Sequence, residues 1–151
     1  MNEYMKIAYD EALYGLKHNE GGPFGAVIVK DTKVIAKAHN TVLKEKDPTC
    51  HAEINVIKKA SKKLKTYNLE GCILYTTSEP CPMCLSATIW AKIKDIYYGC
   101  NILDTEKIGF IDKNIYNNIK KIRKKELKEI DRKECLNLYN EWGNKEDKEI
   151  Y

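Results

Sequence analysis

The order of periodicities along this 151-residue chain predicts an α/β domain, with helices layered on a sheet that is at least partly parallel. Three observations carry that expectation. Apolar residues recur at helical spacing over residues 1–19 and again from His51 to Leu64. Between them lies Ala26-Val27-Ile28-Val29, a continuous apolar run of strand length. The later strands are each separated by a helical segment, the crossover that parallel neighbours need.

In the first helix the buried face is Met5, Ile7-Ala8, Ala12-Leu13 and Leu16, and Gly21-Gly22-Pro23 ends it. Residues 24–30 follow as a buried strand, Asp31-Thr32-Lys33 as a short turn, and 34–38 as a second strand, so the pair reads as a hairpin. Residues 39–50 have few apolar positions and contain Asp47-Pro48, which reads as a loop. Ala52, Ile54, Val56-Ile57, Ala60 and Leu64 mark the second helix, and residues 71–76 a third strand. Pro80-Cys81-Pro82 opens a helix running to about Ala91, since a first helical turn tolerates proline. Residues 94–100 supply a fourth strand. The stretch 120–134, dense in Lys, Arg and Glu, suits either an exposed helix or an edge strand. Residues 135–142 read as a short helix with Leu136, Leu138, Tyr139 and Trp142 inward, and 143–151 as a polar tail.

Composition sets the broad class. With 43% apolar and 32% charged residues, the chain resembles an ordinary globular protein, and its length predicts one domain, residues 1–151. Nothing approaches the roughly 18 consecutive apolar residues of a membrane span, and the N-terminus lacks the pattern of a secretory signal. The expected setting is the cytoplasm, with no membrane partner. Twenty-six basic residues are mixed with twenty-two acidic ones for a net charge of +4, not the concentrated stripe of a dedicated nucleic-acid binder. Six cysteines in such a chain are expected as reduced thiols or metal ligands.

Two short motifs carry the chemistry: His51-Ala52-Glu53 and Pro80-Cys81-Pro82-Met83-Cys84. Cysteines three apart at a helix start turn their sulfurs to one side, where unpaired N–H groups and the helix dipole favour thiolates. His51 adds an imidazole from the start of another helix. Two sulfurs and one nitrogen make three ligands of a tetrahedral zinc and leave a fourth position for water, a catalytic arrangement. Glu53 reaches that water without being a ligand and suits proton transfer. H-x-E followed by P-C-x-x-C is the signature of zinc-dependent base deaminases. Other readings remain open here. The Cys81/Cys84 pair alone fits a redox dithiol, and a fourth ligand from Cys50 or His39 would make the site a closed structural zinc. A fold kept only as a binding scaffold is a third.

The runs Gly21-Gly22-Pro23-Phe24-Gly25-Ala26-Val27-Ile28-Val29-Lys30-Asp31, His39-Asn40, Asp47-Pro48-Thr49, His51-Ala52-Glu53 and Ser78-Glu79-Pro80-Cys81-Pro82-Met83-Cys84 resemble the cytidine deaminase-like superfamily. Within it the chain is most similar to bacterial guanine deaminases. That likeness rests on Trp90-Ala91, on Asp104 five residues before Gly109-Phe110 with Asp112 and Ile115-Tyr116 following, and on a C-terminus of Trp142, Asn144-Lys145 and Tyr151. The resemblance implies a three-layer α/β/α domain with a central mixed sheet of about five strands. It implies one zinc per subunit on His51, Cys81 and Cys84, and hydrolysis of guanine to xanthine and ammonia with Glu53 and Asp104 catalytic. Asn40, Phe24, the Ala52 backbone N–H, Trp90 and Tyr151 would bind the purine. It further implies a homodimer in which the helix and tail 135–151 swap onto the partner and close its site. The alternatives are a tRNA adenosine deaminase acting on an anticodon loop, and deamination of another free base or nucleoside such as cytosine or guanosine. Each borrowed residue also has a purely structural reading: Asn40 satisfying its loop, Asp104 capping a helix, Phe24 and Trp90 packing in the core. The chain departs from the family at Cys50, where alanine is usual, and in the charged stretch 120–134.

Overall fold

A computed structural model of the chain describes residues 1–125, 129–147 and 149. The elements run α1 (Glu3–Lys17), β1 (Gly25–Lys30), β2 (Lys33–His39), α2 (Val42–Glu45), α3 (Ala52–Leu64), β3 (Ile73–Ser78), α4 (Pro82–Trp90), β4 (Asp95–Cys100), α5 (Ile102–Lys107), α6 (Asp112–Lys125) and α7 (Arg132–Asn144). They form two compact units, residues 1–116 and 117–151.

In the first unit four strands make one mixed sheet in the order β2-β1-β3-β4. β1 pairs antiparallel with β2 and β3, and β3 runs parallel to β4 across the α4 crossover. The expected mixed α/β sheet is present, with four strands among the described residues where about five were anticipated. Of the charged stretch 120–134, which suited either an exposed helix or an edge strand, residues 120–125 are helical.

The continuous apolar run Ala26–Val29 has a direct reason. Ala26 and Ile28 point to one face and pack with Val56 and Ala60 of α3, Leu74 and Ile93. Val27 and Val29 point to the other face and pack with Ala8, Tyr4 and Met5 of α1. A strand covered on both faces shows no alternation, because each side chain leaves water whichever way it points. Burying each such Val or Ile side chain contributes about 1.5–3 kcal/mol. Gly25 lets α1 lie this close: a Cβ there would collide with the Ala8 carbonyl oxygen.

The hairpin turns on Asp31 and Thr32, with φ of 48° and 60°, the pair of positive values that a two-residue turn matched to strand twist requires. Tyr4 locks it by donating its hydroxyl to the Thr32 carbonyl at 3.0 Å. The predicted loop 39–50 holds one short helical turn, α2, too brief to leave a periodic signal. Its neighbours α3 and α4 start where expected, with His51 and Cys81 at their N-caps. No helix among the described residues is long and apolar enough to cross a membrane.

In the second unit α7 is longer than the predicted 135–142. Leu136 is half-buried, but Leu138, Tyr139 and Trp142, expected to face inward, stand exposed on the single chain.

Candidate metal centre and active site

The first turns of α3 and α4 bring three ligand atoms together. His51 and Cys81 each occupy an N-cap in extended conformation, and Pro82 begins α4, placing Cys84 in its first turn. The His51 Nδ1 atom lies 3.6 Å from the Cys81 sulfur and 3.6 Å from that of Cys84. Zinc–nitrogen and zinc–sulfur bonds of ordinary length at a tetrahedral angle put nitrogen and sulfur about 3.6 Å apart. Both histidine–cysteine spacings therefore fit zinc.

His51, Cys81 and Cys84 are the one such group among the described residues, all their donor atoms within 4.8 Å. The fourth ligands considered from sequence do not join them. His39 is held between Glu20 at 2.8 Å and Glu11 at 3.2 Å, and Cys50 is buried outside the cluster. Three ligands without a fourth protein donor is the pattern of a catalytic zinc. Cys81 and Cys84 are both free thiols.

The electrostatics favour a cation. The thiol of Cys84, hydrogen-bonded to Cys81, and the adjacent His51 pull the Cys81 thiol down to about 4. That same bond, with burial, pushes Cys84 upward. His51 is raised in turn by its bond to Cys81. A thiolate beside a thiol that would ionise beside a metal ion is the state a zinc site recruits.

Glu53 lies behind this cluster, only 5% exposed. Thr76 donates its hydroxyl to Glu53 Oε1 at 3.2 Å, and the Cys84 thiol donates to Oε2 at 3.5 Å. Burial raises its carboxyl above the ordinary value. A buried carboxyl raised in this way suits a group that takes up and returns a proton.

These groups face a narrow cavity of about 30 Å³ lined by Phe24, Asn40, Glu53, Glu79, Phe110 and Asp112 beside the metal ligands. Phe24 and Phe110 meet edge to face at 4.8 Å between ring centres and form its aromatic wall. Asn40 is 3% exposed. Its N–H donates to the Phe24 carbonyl at 3.0 Å, and its side-chain oxygen accepts from Val42 N at 3.1 Å. A larger cavity of about 560 Å³ adjoins the narrow one, sharing Phe24 and Ser78 and lined further by Met5, Tyr9 and Leu13 of α1 and by Ile108. It is apolar and holds none of the metal ligands.

The remaining sequence candidates fall in different places. Ala52 is wholly buried in the first residue of α3. Trp90 closes α4, 67% exposed, away from the narrow cavity. Tyr151 lies outside the described residues. Asp104 sits in the first turn of α5 and forms a capping box with Asn101. Its carboxylate accepts from Asn101 N at 3.2 Å and pairs with Lys107 at 3.2 Å; it borders the larger cavity and not the metal.

Besides Glu53, two acidic residues line the narrow cavity: Glu79, whose Oε2 accepts from Ile102 N at 2.9 Å, and Asp112 at the start of α6, to which sequence reasoning gave no role. Burial and the nearby Cys81 raise its carboxyl. Gly109, at φ +97°, makes the turn between α5 and α6 that carries Phe110 and Asp112 back to the site. One turn further along, Tyr116 donates its hydroxyl to the Pro80 carbonyl at 2.8 Å and ties this helix start to the cysteine loop. A glycine followed by an aromatic, an acid at a helix start and a tyrosine four residues on was the available signal.

Residues 1–100 match the family described as the cytidine and deoxycytidylate deaminase zinc-binding region. The chain is 42% identical to the guanine deaminase of Bacillus subtilis (strain 168), over 98% of this chain and 97% of that one. The X-ray structure of the Bacillus subtilis guanine deaminase superposes with a TM-score of 0.92, covering 100% of this chain and 99% of the other. A tRNA-specific adenosine deaminase of Buchnera aphidicola subsp. Schizaphis graminum is 37% identical over 89% of this chain and 88% of its own length. The structure of a guanine deaminase from Nitrosomonas europaea is 30% identical, with a TM-score of 0.66 over 71% of this chain and 62% of that one.

Proposed function

This chain belongs to the cytidine and deoxycytidylate deaminase family, and from that premise we propose that it hydrolyses guanine to xanthine and ammonia. The observation that carries guanine is the length of the likeness. It runs over 98% of this chain and 97% of a guanine deaminase at 42% identity, with a TM-score of 0.92 against a guanine deaminase structure.

The chain's residues divide the work. His51, Cys81 and Cys84 would hold one zinc, which when bound supplies the Lewis acid that makes water nucleophilic at neutral pH. Phe24 and Phe110 together form one aromatic wall against which the flat ring would lie as the narrow cavity widens to admit it, and Asn40 would hydrogen-bond its edge. The water oxygen adds to C2 while Glu53 takes its proton and passes it to the ring nitrogen N3. A second proton, from the new C2 hydroxyl, moves through a carboxylate to the amino nitrogen. The C2–N bond then breaks, ammonia leaves, and C2 becomes the carbonyl of xanthine. Three carboxylates line the cavity, and with Glu79 held by the Ile102 N–H at 2.9 Å, Asp112 is the one beside Glu53 that suits contact with the departing amino group. Asp104 keeps its capping role in this scheme.

The same reading includes action in the cytoplasm and a homodimer, in which residues 135–151 reach the partner's site. Ile89, Trp90, Leu103, Ile108 and Ile111 leave apolar surface exposed on the first unit, as do Leu138, Tyr139 and Trp142 on the second. Equilibrium sedimentation of the full chain tests the dimer: a monomer at micromolar concentration rejects it. For the activity, purified zinc-loaded protein is incubated with guanine, guanosine, adenine, cytosine and cytidine while ammonia is followed. Xanthine formation from guanine is expected; ammonia from cytosine or cytidine but not guanine defeats the proposal.

The tRNA adenosine deaminase reading is favoured by the Buchnera relative. It demands a basic surface beside the site, whereas the Lys-rich stretch 118–134 is interrupted by Glu126, Glu129, Asp131 and Glu134.

A further inference from the structure

We propose that Asn55 is a positioning residue that sets Asn40 against the metal-binding histidine; the inference rests on reading the narrow cavity as the guanine site. Asn55 follows His51 by one helical turn of α3, its N–H donating to the His51 carbonyl at 2.9 Å. Helical side chains lean toward the N-terminus, so its amide lies back over the segment leading into the metal ligand. There the side-chain nitrogen donates to the His39 carbonyl at 3.0 Å and to the Thr41 hydroxyl oxygen at 2.9 Å, with the Cys50 carbonyl at 3.3 Å sharing the same donors. Thr41 N also donates to that Cys50 carbonyl, at 3.0 Å.

One amide thus fastens the residue before Asn40, the residue after it, and the residue before His51. Two of the three acceptors are backbone carbonyls, which only a donor answers. An Asp of the same shape would put a fourth oxygen among them. Asparagine is a poor helix-interior residue, since it competes for backbone hydrogen bonds. Leucine or alanine would serve α3 better by propensity; the bonds across to the 39–41 segment explain asparagine here. The Asn40 side-chain oxygen is taken by Val42 N, and the residue lines the narrow cavity. The edge left for substrate therefore points wherever its two neighbours are held. Displacing such a contact by a fraction of an ångström weakens binding without removing the group.

The test is the pair of variants Asn55→Leu and Asn55→Asp, measured for zinc per chain, kcat and KM with guanine, alone and combined with Asn40→Ala. Asn40 touches the ring in ground and transition states alike, so KM should rise about tenfold while kcat stays within about threefold. Zinc should remain at one per chain. In the Asn40→Ala background the Asn55→Leu change should add less than about a twofold effect, because the two residues act as one. If the leucine variant fails to fold, the aspartate variant decides. A KM within twofold of the native value, a rise undiminished without Asn40, or a loss matching lost zinc each overturns the proposal. If native protein leaves guanine untouched, the reading of the site fails and takes this claim with it.

Discussion

Replacing Glu53 with glutamine separates proton transfer from every other task in the site. The structure makes the substitution nearly silent in shape. Oε1 is held by the Thr76 hydroxyl at 3.2 Å, and a glutamine carbonyl accepts the same bond. Glutamine has no proton to relay, and the scheme assigns Glu53 the transfer from water to the ring nitrogen. General acid–base catalysis contributes about a hundredfold to ten-thousandfold, so a group carrying this step is expected to lower kcat about a thousandfold, roughly 4 kcal/mol of barrier. KM should change little, and zinc should stay at one per chain because Glu53 is not a ligand. Folding should move the other way. Burial raises the Glu53 carboxyl above its unfolded value. Its stabilising contribution is therefore present below the unfolded value and is lost as pH rises through the folded one. Glutamine carries no such charge, so the metal-free variant should melt at the same temperature as native protein or higher at pH 7. The assay is steady-state ammonia release from guanine, with metal analysis and thermal melting on the same preparation. A zinc-replete E53Q that keeps more than about a tenth of native kcat refutes the proton relay.

Cys84→Ala or His51→Ala should abolish stoichiometric zinc binding, read by metal analysis, because each removes one of three ligand atoms. Asp112→Asn is expected to lower kcat/KM for guanine about a hundredfold, while Asp104→Asn should leave kcat/KM within about threefold and lower stability by about 1 kcal/mol or less through its capping box. Parallel kinetics and melting of the two variants check this, and the reverse ranking would return the role to Asp104. Gly21→Ala should raise KM about tenfold with kcat nearly unchanged, since a Cβ there would collide with the Asn40 side-chain oxygen and carbonyl; an unaltered KM would show that Asn40 is not a recognition group.

The cluster of His51, Cys81 and Cys84 with Glu53 behind it was legible in the sequence because its geometry is local. Cysteines three apart across a helix start, and a glutamate two residues after a histidine at another, need only the two helices to form. β1 was legible for the same reason: its unbroken Ala26–Val29 run has one simple explanation, burial on both faces. Asp112 was not. Asp104 and Asp112 share one segment, and which of them lines the cavity beside His51 and Cys81 follows from the φ of Gly109 and the bond from Tyr116 to Pro80, neither of which leaves a periodic trace. The stretch 120–134 was ambiguous because Lys, Arg and Glu dominate it, and a surface of long charged side chains gives little hydrophobic periodicity to separate helix from edge strand. Asn55 was passed over because its partners, His39, Thr41 and Cys50, are neighbours only once the chain has folded.

The central claim is that this cavity takes free guanine. Its most direct test is the ratio of kcat/KM for guanine to that for an adenosine-containing anticodon stem-loop, measured on one zinc-loaded preparation. The account predicts xanthine from guanine at a kcat/KM of about 10⁴ M⁻¹s⁻¹ or more and no inosine from the stem-loop. Inosine formed in the stem-loop, with guanine unchanged, would contradict it.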